Sequence, residues 1–311
     1  MDYERSILIQ TAAGAESPER SAESPEQEAG SLLSALPSPL SAFRIQPTPG
    51  WRAVDLRELW RYRELLYFLV WRDLKVRYKQ TVLGAAWALI RPLFTMLMFT
   101  LIFGTLAKIP SDGIPYPIFS YAALLPWTYF ATALGSAGNG LVGSAHLITK
   151  VYFPRLIIPG SLVIGGLVDY AIAFVLLIPL MFWYGVPPSE AILLTVPLLT
   201  LLTAALALGV TLWVSALTVQ YRDLLHIVPF ALQLWLYATP IVYPLSLVPP
   251  QYRWLAALNP MTGIIEGFRS ALLGSAWNWP ALGLSLFIAV VALVSGALYF
   301  RRVERTFADV V

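Results

Sequence analysis

Few residue types in this 311-residue chain could carry chemistry, and their placement argues against an enzyme. The chain has no Cys, so neither a disulfide nor a thiolate metal site can form. The two histidines, His146 and His226, fall on separate segments and have no nucleophile or metal-ligand spacing beside them. We therefore expect no catalytic residue and no metal site in this chain.

Asp169 is the one carboxylate inside the long apolar stretches that calls for an explanation. A carboxylate at the centre of a membrane costs about 2.5–3.5 kcal/mol on insertion scales, so it is expected to face protein or water. It could be a proton or ion site, or a structural hydrogen-bond acceptor. Because no second carboxylate or histidine clearly partners it within those stretches, the structural role is favoured.

Residues 138–143 read Gly-Asn-Gly-Leu-Val-Gly, which matches the spacing of a dinucleotide-binding loop. Such a loop works only between a strand and a helix, where its amides face a pyrophosphate. Here it follows an apolar stretch without a βαβ pattern, so we expect a bend rather than a nucleotide site. The chain also lacks the G-x-x-x-x-G-K-[ST] loop that holds ATP phosphates.

The composition explains why so little of the chain is reactive: 58% of residues are hydrophobic, 13% are charged and the mean hydropathy is +0.67. Soluble domains carry about 25% charged residues, so this chain is predicted to lie largely within a lipid membrane. A helix needs about 20 apolar residues to cross a membrane. On this basis the sequence predicts an all-α membrane protein with six spans, at 82–107, 116–137, 156–184, 191–219, 225–247 and 279–300. Residues 248–278 are too short and too polar to cross twice, and we expect two re-entrant helices there.

Residues 51–80 are basic and carry apolar residues at helical spacing, which predicts an amphipathic helix at the cytoplasmic membrane surface. The net charge of +3 does not indicate a nucleic-acid partner, because the basic residues cluster beside apolar segments. Lys and Arg favour the cytoplasmic side. With both termini inside, only Lys108, Arg253 and Arg269 fall on outer segments.

Residues 1–50 are rich in Ser, Pro and Glu, and we expect them to form a disordered cytoplasmic extension. Residues 81–305 would form the transmembrane domain, and 306–311 a cytoplasmic tail.

Three motifs carry a resemblance to a known family. The first reads Arg-Tyr-Lys-Gln-Thr-Val-Leu-Gly from residue 77, with Trp87 and Arg91-Pro92-Leu93 after it. The second is Tyr221-Arg222-Asp223, followed by Thr-Pro-Ile-Val-Tyr-Pro from residue 239. The third is Asn259-Pro260-Met261-Thr262 with Glu266, Phe268 and Arg269. Over about residues 52–305 the chain resembles the type-2 ABC exporter permeases that export O-antigen, capsule and teichoic-acid polysaccharides.

The resemblance implies a homodimer of permeases joined to two copies of a separate ATPase. The ATPase would bind ATP and Mg, and we expect no cofactor in this chain. The cargo would be a glycan linked to undecaprenyl pyrophosphate, and the location the inner membrane. A helix over about Val54–Trp71 would lie at the cytoplasmic interface, and pieces around Pro250–Ala257 and Thr262–Leu273 would close the outer end. The alternative is an exporter of a small amphipathic drug or lipid, in which the basic helix and the outer motif would be unexpected.

The candidate site residues follow from these segments. Contact with the ATPase is expected at Leu141, His146, Leu147, Lys150, Tyr152 and Arg155. The substrate entrance is expected at Arg72, Lys75, Arg77, Tyr78, Lys79 and Arg91, whose cations suit a pyrophosphate. The outer gate is expected at Asn259, Pro260, Glu266 and Arg269, where Glu266 and Arg269 share a helical face. Aromatic residues that could line a glycan channel, or simply form interfacial belts, are Trp127, Tyr129, Phe130, Trp235, Tyr237 and Tyr243.

Overall fold

The computed structural model describes residues 56–79, 84, 86–144, 147, 150, 152–188 and 192–304. These residues form helices joined by turns and contain no strand, which confirms the predicted all-helical class. The predicted N-terminal extension, 1–50, and tail, 306–311, lie outside the described residues.

The α-helices of the described residues are α1 (Leu56–Arg61), α2 (Arg63–Lys79), α3 (Ala86–Phe99), α4 (Tyr116–Gly143), α5 (Ile157–Trp183), α6 (Ile192–Gln220), α7 (Leu224–Ala238), α8 (Arg253–Ala257), α9 (Pro260–Leu273) and α10 (Trp279–Val303). A π-helical segment, Thr100–Leu106, continues α3. Two short 3₁₀ turns, Leu245–Leu247 and Pro250–Tyr252, precede α8.

Four helical stretches of the described residues are long and apolar enough to cross a membrane: Ala86–Leu106, Ile157–Trp183, Ile192–Gln220 and Trp279–Val303. Each coincides with a predicted span. By length and composition, these stretches confirm that the chain is a multi-pass membrane protein.

The second predicted span corresponds to α4, which has 28 residues and lies at the centre of the structure. It packs against α3, α5, α6, α7 and α9. Because its neighbours are largely protein, it tolerates tyrosines, threonines and glycines that a lipid-facing helix would disfavour. It also continues without interruption to Gly143, so the bend expected over residues 138–143 is absent. Gly140 instead allows close packing, since an added Cβ would lie 2.6 Å from Leu162.

The fifth predicted span is shorter than expected. Its helix, α7, ends at Ala238 rather than at 247, because Thr239 precedes Pro240 and adopts an extended conformation. A residue before proline is pushed out of the helical region by contact with the proline ring. The chain therefore turns at Thr239.

The basic segment before the first span forms α1 and α2, and α2 runs along α5 in the same direction. Leu66 of α2 lies beside Gly160, and Arg77, eleven residues later, binds Asp169. Asp169 is twelve residues from the start of α5, which is about 18 Å along the helix. The end of α2 thus reaches the middle of a predicted span instead of remaining at the level where α5 begins. Within α2 the side chains of Leu69 and Val70 are buried, whereas those of Tyr67 and Phe68 are exposed.

The two helical pieces expected before the last span are present as α8 and α9. Twelve of the fourteen residues of α9 are buried, and the helix packs against α4, α6 and α10. Gly263 makes this possible, since an added Cβ would lie 2.3 Å from the carbonyl oxygen of Ala281. The helix begins at Pro260, where Asn259 caps it by accepting a hydrogen bond from the main-chain N–H of Met261.

Candidate functional site

A cavity of about 540 Å³ lies between the end of α2, the start of α3, and the middle of α4 and α5. Arg77 and Tyr78 come from α2, and Arg91 from α3. Asp169 of α5 completes the charged lining. The other polar side chains in the wall are Trp87, Thr128, Tyr129, Thr132, Ser136 and Tyr170. Three of the six predicted entrance residues therefore meet at one cavity.

Asp169 accepts hydrogen bonds from two adjacent residues of α2. The guanidinium of Arg77 donates to Oδ2, and the Tyr78 hydroxyl donates to Oδ1. The structural role favoured for Asp169 agrees with this contact. What the sequence did not reveal was the partner, which lies 92 positions earlier in the chain. The signal was indirect: a carboxylate inside an apolar span requires a donor, and the nearest basic segment ends at Lys79.

The remaining predicted entrance residues differ in their surroundings. Arg72 forms an ion pair with Asp73 at 2.8 Å. The ammonium of Lys75 lies 4.3 Å from the centre of the Trp71 ring, and Lys79 is exposed. Arg91 is exposed at the cavity and has no ion pair within the described part of the chain. Arg91 is therefore the cation of this cavity that a ligand anion could reach without displacing another carboxylate.

A second cavity, of about 350 Å³, adjoins the first on the side where α5 begins. Its polar lining includes Arg72, Asp73, Asn139 and Ser144. Arg77 and Ser136 line both cavities, so Arg77 stands where the two spaces meet. A series of polar side chains thus leads from the end of α4 to Asp169.

The residues expected to contact an ATPase lie at or after the end of α4. Leu141 is fully buried in the last turn of α4, and Leu147 is half-buried. Lys150 and Tyr152 are exposed, whereas His146 lies outside the described residues. The exposed pair supplies a surface that a partner protein can reach.

Arg155 joins this segment to the end of the last helix. Its guanidinium donates to the main-chain carbonyl of Glu304, and its main-chain N–H donates to the Glu304 carboxylate at 3.2 Å. Beneath this contact, Phe153 and Leu69 share an apolar cluster with Phe300 of α10. Phe153 and Arg155 therefore connect the residues before α5 to α2 and to the end of α10.

Three of the four residues expected at the outer gate, Asn259, Glu266 and Arg269, form a hydrogen-bonded junction. Asn259 accepts a hydrogen bond from Trp235 at 3.0 Å and donates one to Thr239 at 2.8 Å. Arg269 donates to Glu266 at 3.0 Å and to the carbonyl of Ile241 at 2.9 Å. Together these contacts hold the turn after α7 against α9, which begins at Pro260.

Most of the candidate channel aromatics are packed within the single chain. Trp127, Tyr129 and Phe130 are buried, and Phe130 lies edge-on to Trp235 with ring centres 5.2 Å apart. Tyr237, on α7, is 53% exposed. Tyr243 is half-buried. Tyr237 is therefore the most accessible of the set to a ligand outside the chain.

The sequence family described as ABC-2 type transporter matches residues 64–273, from the start of α2 to the end of α9. The match covers more than half of the chain and includes the whole cavity. The chain belongs to the ABC-2 type transporter family. The resemblance drawn from its three motifs is thereby confirmed, and the ABC-2 assignment places the chain among transport proteins rather than enzymes.

Three proteins similar to this chain are named for O-antigen export or for polysialic acid transport. The chain is 35% identical over 218 residues to the O-antigen export system permease protein RfbA of Myxococcus xanthus, covering 69% of this chain and 82% of that protein. It is 28% identical to RfbA of Klebsiella pneumoniae, covering 79% and 95%. It is 24% identical to the polysialic acid transport protein KpsM of Escherichia coli, covering 75% and 91%.

Proposed function

We propose that this chain is the permease subunit of an ABC exporter that moves a polysaccharide linked to undecaprenyl pyrophosphate across the inner membrane. Its similarity to permeases named for O-antigen export and polysialic acid transport supports a glycan cargo. The observation that carries the proposal is the cavity in which Arg77 and Arg91 lie beside apolar spans. Guanidinium groups are well suited to phosphate oxygens, and an apolar surround suits a polyprenyl chain.

The proposed permease has six spans. To the four apolar stretches we add α4, whose 28 residues extend about 42 Å, and α7 with the turns that follow it. The helices α8 and α9 are then re-entrant elements at the outer end. Both termini lie in the cytoplasm, which leaves the 144–156 segment on the cytoplasmic side.

The working unit is proposed to be a homodimer with two copies of a separate ATPase, which binds ATP and Mg. An exposed apolar face on α7 supports contact with a second copy: Ile227, Phe230, Leu234 and Tyr237 are each more than half exposed. Lys150 and Tyr152 are proposed to contact the ATPase, and the outer junction around Asn259, Glu266 and Arg269 to close the exit. ATP hydrolysis then shifts the population of the dimer between inward-open and outward-open states.

The test is reconstitution of the permease with its candidate ATPase in proteoliposomes, with glycan-linked undecaprenyl pyrophosphate as the probe. We expect a stable two-plus-two complex whose ATPase rate rises with the probe. The variant Arg91→Gln should lower export at least tenfold, since a hydrogen bond to a charged group contributes about 1.5–3 kcal/mol. Arg253→Gln, at an exposed arginine on the outer segment, is the matched control and should export normally.

Two outcomes would contradict the proposal. A permease that purifies without an ATPase and transports alone is not an ABC exporter subunit. A complex stimulated by small amphipathic drugs or free lipids, and not by the glycan-linked probe, would support the alternative cargo.

A further inference from the structure

Asp169 and Arg77 form an ion pair, here called the Asp169 pair, and the same carboxylate also accepts a hydrogen bond from Tyr78 at the end of α2. Each donor takes a different oxygen of Asp169. The side chains of Arg77 and Asp169 remain 35% and 23% exposed, so the pair faces the cavities rather than a sealed core. A charged ligand in the cavity can therefore reach both members of the pair.

Two further polar groups line the same cavity, and the described residues give Arg91 no ion pair and Tyr129 no hydrogen bond to its hydroxyl. Arg91 forms no ion pair within the described part of the chain. The hydroxyl of Tyr129 is buried and has no hydrogen-bond partner among the residues described, although the side chain lines the cavity. A buried hydroxyl without a partner is costly, and a bound ligand is one common way to satisfy it.

We propose that Asp169 is a specificity-determining residue that occupies Arg77 and Tyr78 until the phosphates of the lipid carrier replace it. This inference rests on the proposed function. Carboxylate and phosphate both accept the paired N–H groups of a guanidinium, so each can take the other's place without leaving Arg77 unpaired. Because the Arg77 side chain lines both cavities, its guanidinium can leave Asp169 and bind a phosphate that arrives through the second cavity.

The exchange also accounts for how the ligand leaves. With the phosphates bound to Arg77 and Arg91, the negative charge of Asp169 remains nearby and opposes tight binding. A transport site must bind well enough to admit its cargo and weakly enough to release it. When the carrier moves on, Asp169 binds Arg77 again and returns the end of α2 to α5.

The first experiment compares the full permease–ATPase complex with its Asp169→Asn variant in lipid nanodiscs. The probe is undecaprenyl pyrophosphate carrying a short glycan, and uncharged undecaprenol is the reference lipid. Without the competing carboxylate, the probe concentration that half-stimulates the ATPase should fall about tenfold, while export in proteoliposomes should slow. Asp112→Asn, at an exposed aspartate that binds Ser246, is the matched control and should leave both quantities unchanged.

The second experiment follows the Arg77–Asp169 contact in a protein that keeps Asp169, so its main result does not depend on how well the variant folds. The chain has no Cys, so spin labels can be placed at Lys79 and Val175, both of which are exposed. Adding the glycan-linked probe should lengthen the distance between the labels, and Asp169→Asn should show the longer distance without the probe.

The outcomes separate this inference from the function on which it rests. If the wild-type complex never responds to the probe, the proposed function fails and the role of Asp169 fails with it. If the wild type responds but Asp169→Asn has the same half-stimulating concentration, or the label distance is unchanged by the probe, only the role of Asp169 is overturned. An Asp169→Asn protein that merely loses thermal stability, with an unchanged label distance in the wild type, assigns the pair a structural role alone.

Discussion

The guanidinium carbon of Arg269 lies 3.6 Å from the centre of the Phe119 ring, and the arginine is only 2% exposed. Its charge is balanced by Glu266 at 3.0 Å, and another of its nitrogens donates to the carbonyl of Ile241. These contacts join α9, α4 and the turn after α7. A cation so deeply buried stabilises the fold only as long as every partner is in place.

We predict that Arg269→Met will destabilise the permease by about 3–5 kcal/mol, because it leaves the Glu266 carboxylate without its partner. Thermal unfolding of the purified permease in detergent micelles measures the effect. Arg253→Met is the control, since Arg253 is exposed and its hydrogen bonds go to the main-chain carbonyls of Val248 and Ser246. Its change should stay within about 0.5 kcal/mol. Equal unfolding midpoints for the two variants would show that the Arg269 contacts contribute little.

The contact between Arg155 and Glu304 predicts a dependence of stability on pH. Burial raises the pKa of Glu304, and the hydrogen bond from the Arg155 main chain opposes that rise. An acid whose folded-state pKa is raised contributes stability that is complete below its unfolded pKa and is lost as the pH rises through the folded value. Glu304→Gln keeps the acceptor oxygen and removes the titration.

The unfolding midpoint of Glu304→Gln should therefore exceed that of the wild type by a margin that grows from about pH 5 to about pH 8. Glu64→Gln, at an exposed position on α2, is the matched control for the loss of one carboxylate. A margin that stays constant over this range would mean that the half-buried Glu304 carboxyl does not titrate differently in the folded state.

Close packing of α6 and α10 gives a third prediction. An added Cβ at Gly209 would lie 2.5 Å from the main-chain nitrogen of Leu293, and backbone atoms cannot move aside as a flexible side chain can. Gly209→Ala should therefore destabilise the permease by about 1–3 kcal/mol. Gly283→Ala, on α10 with nothing within 4 Å of an added Cβ, should be neutral or slightly stabilising. Thermal unfolding of both variants in the same detergent measures the difference, and equal midpoints would contradict this packing.

The sequence predicted the helical class and four spans closely, because the thickness of a membrane sets the length of the apolar stretch that crosses it. It also located α9 and its cap, since Asn259 followed by Pro260 is a local signal that needs no tertiary information. The end of α7 was predicted at residue 247, although the helix stops at Ala238. The Thr239-Pro240 signal stands in the sequence, but apolar composition alone does not mark where a helix ends.

Composition and local chemistry therefore determined that this chain is a helical membrane protein, and its motifs determined its family. Only the tertiary structure decided which charges meet: Asp169 with Arg77, Arg155 with Glu304, and Arg269 with the turn after α7. Those partners lie in different segments of the chain, up to 149 positions apart. Helical periodicity fixes which residues share a face of one helix, whereas the helix that this face meets depends on how all of the helices pack together.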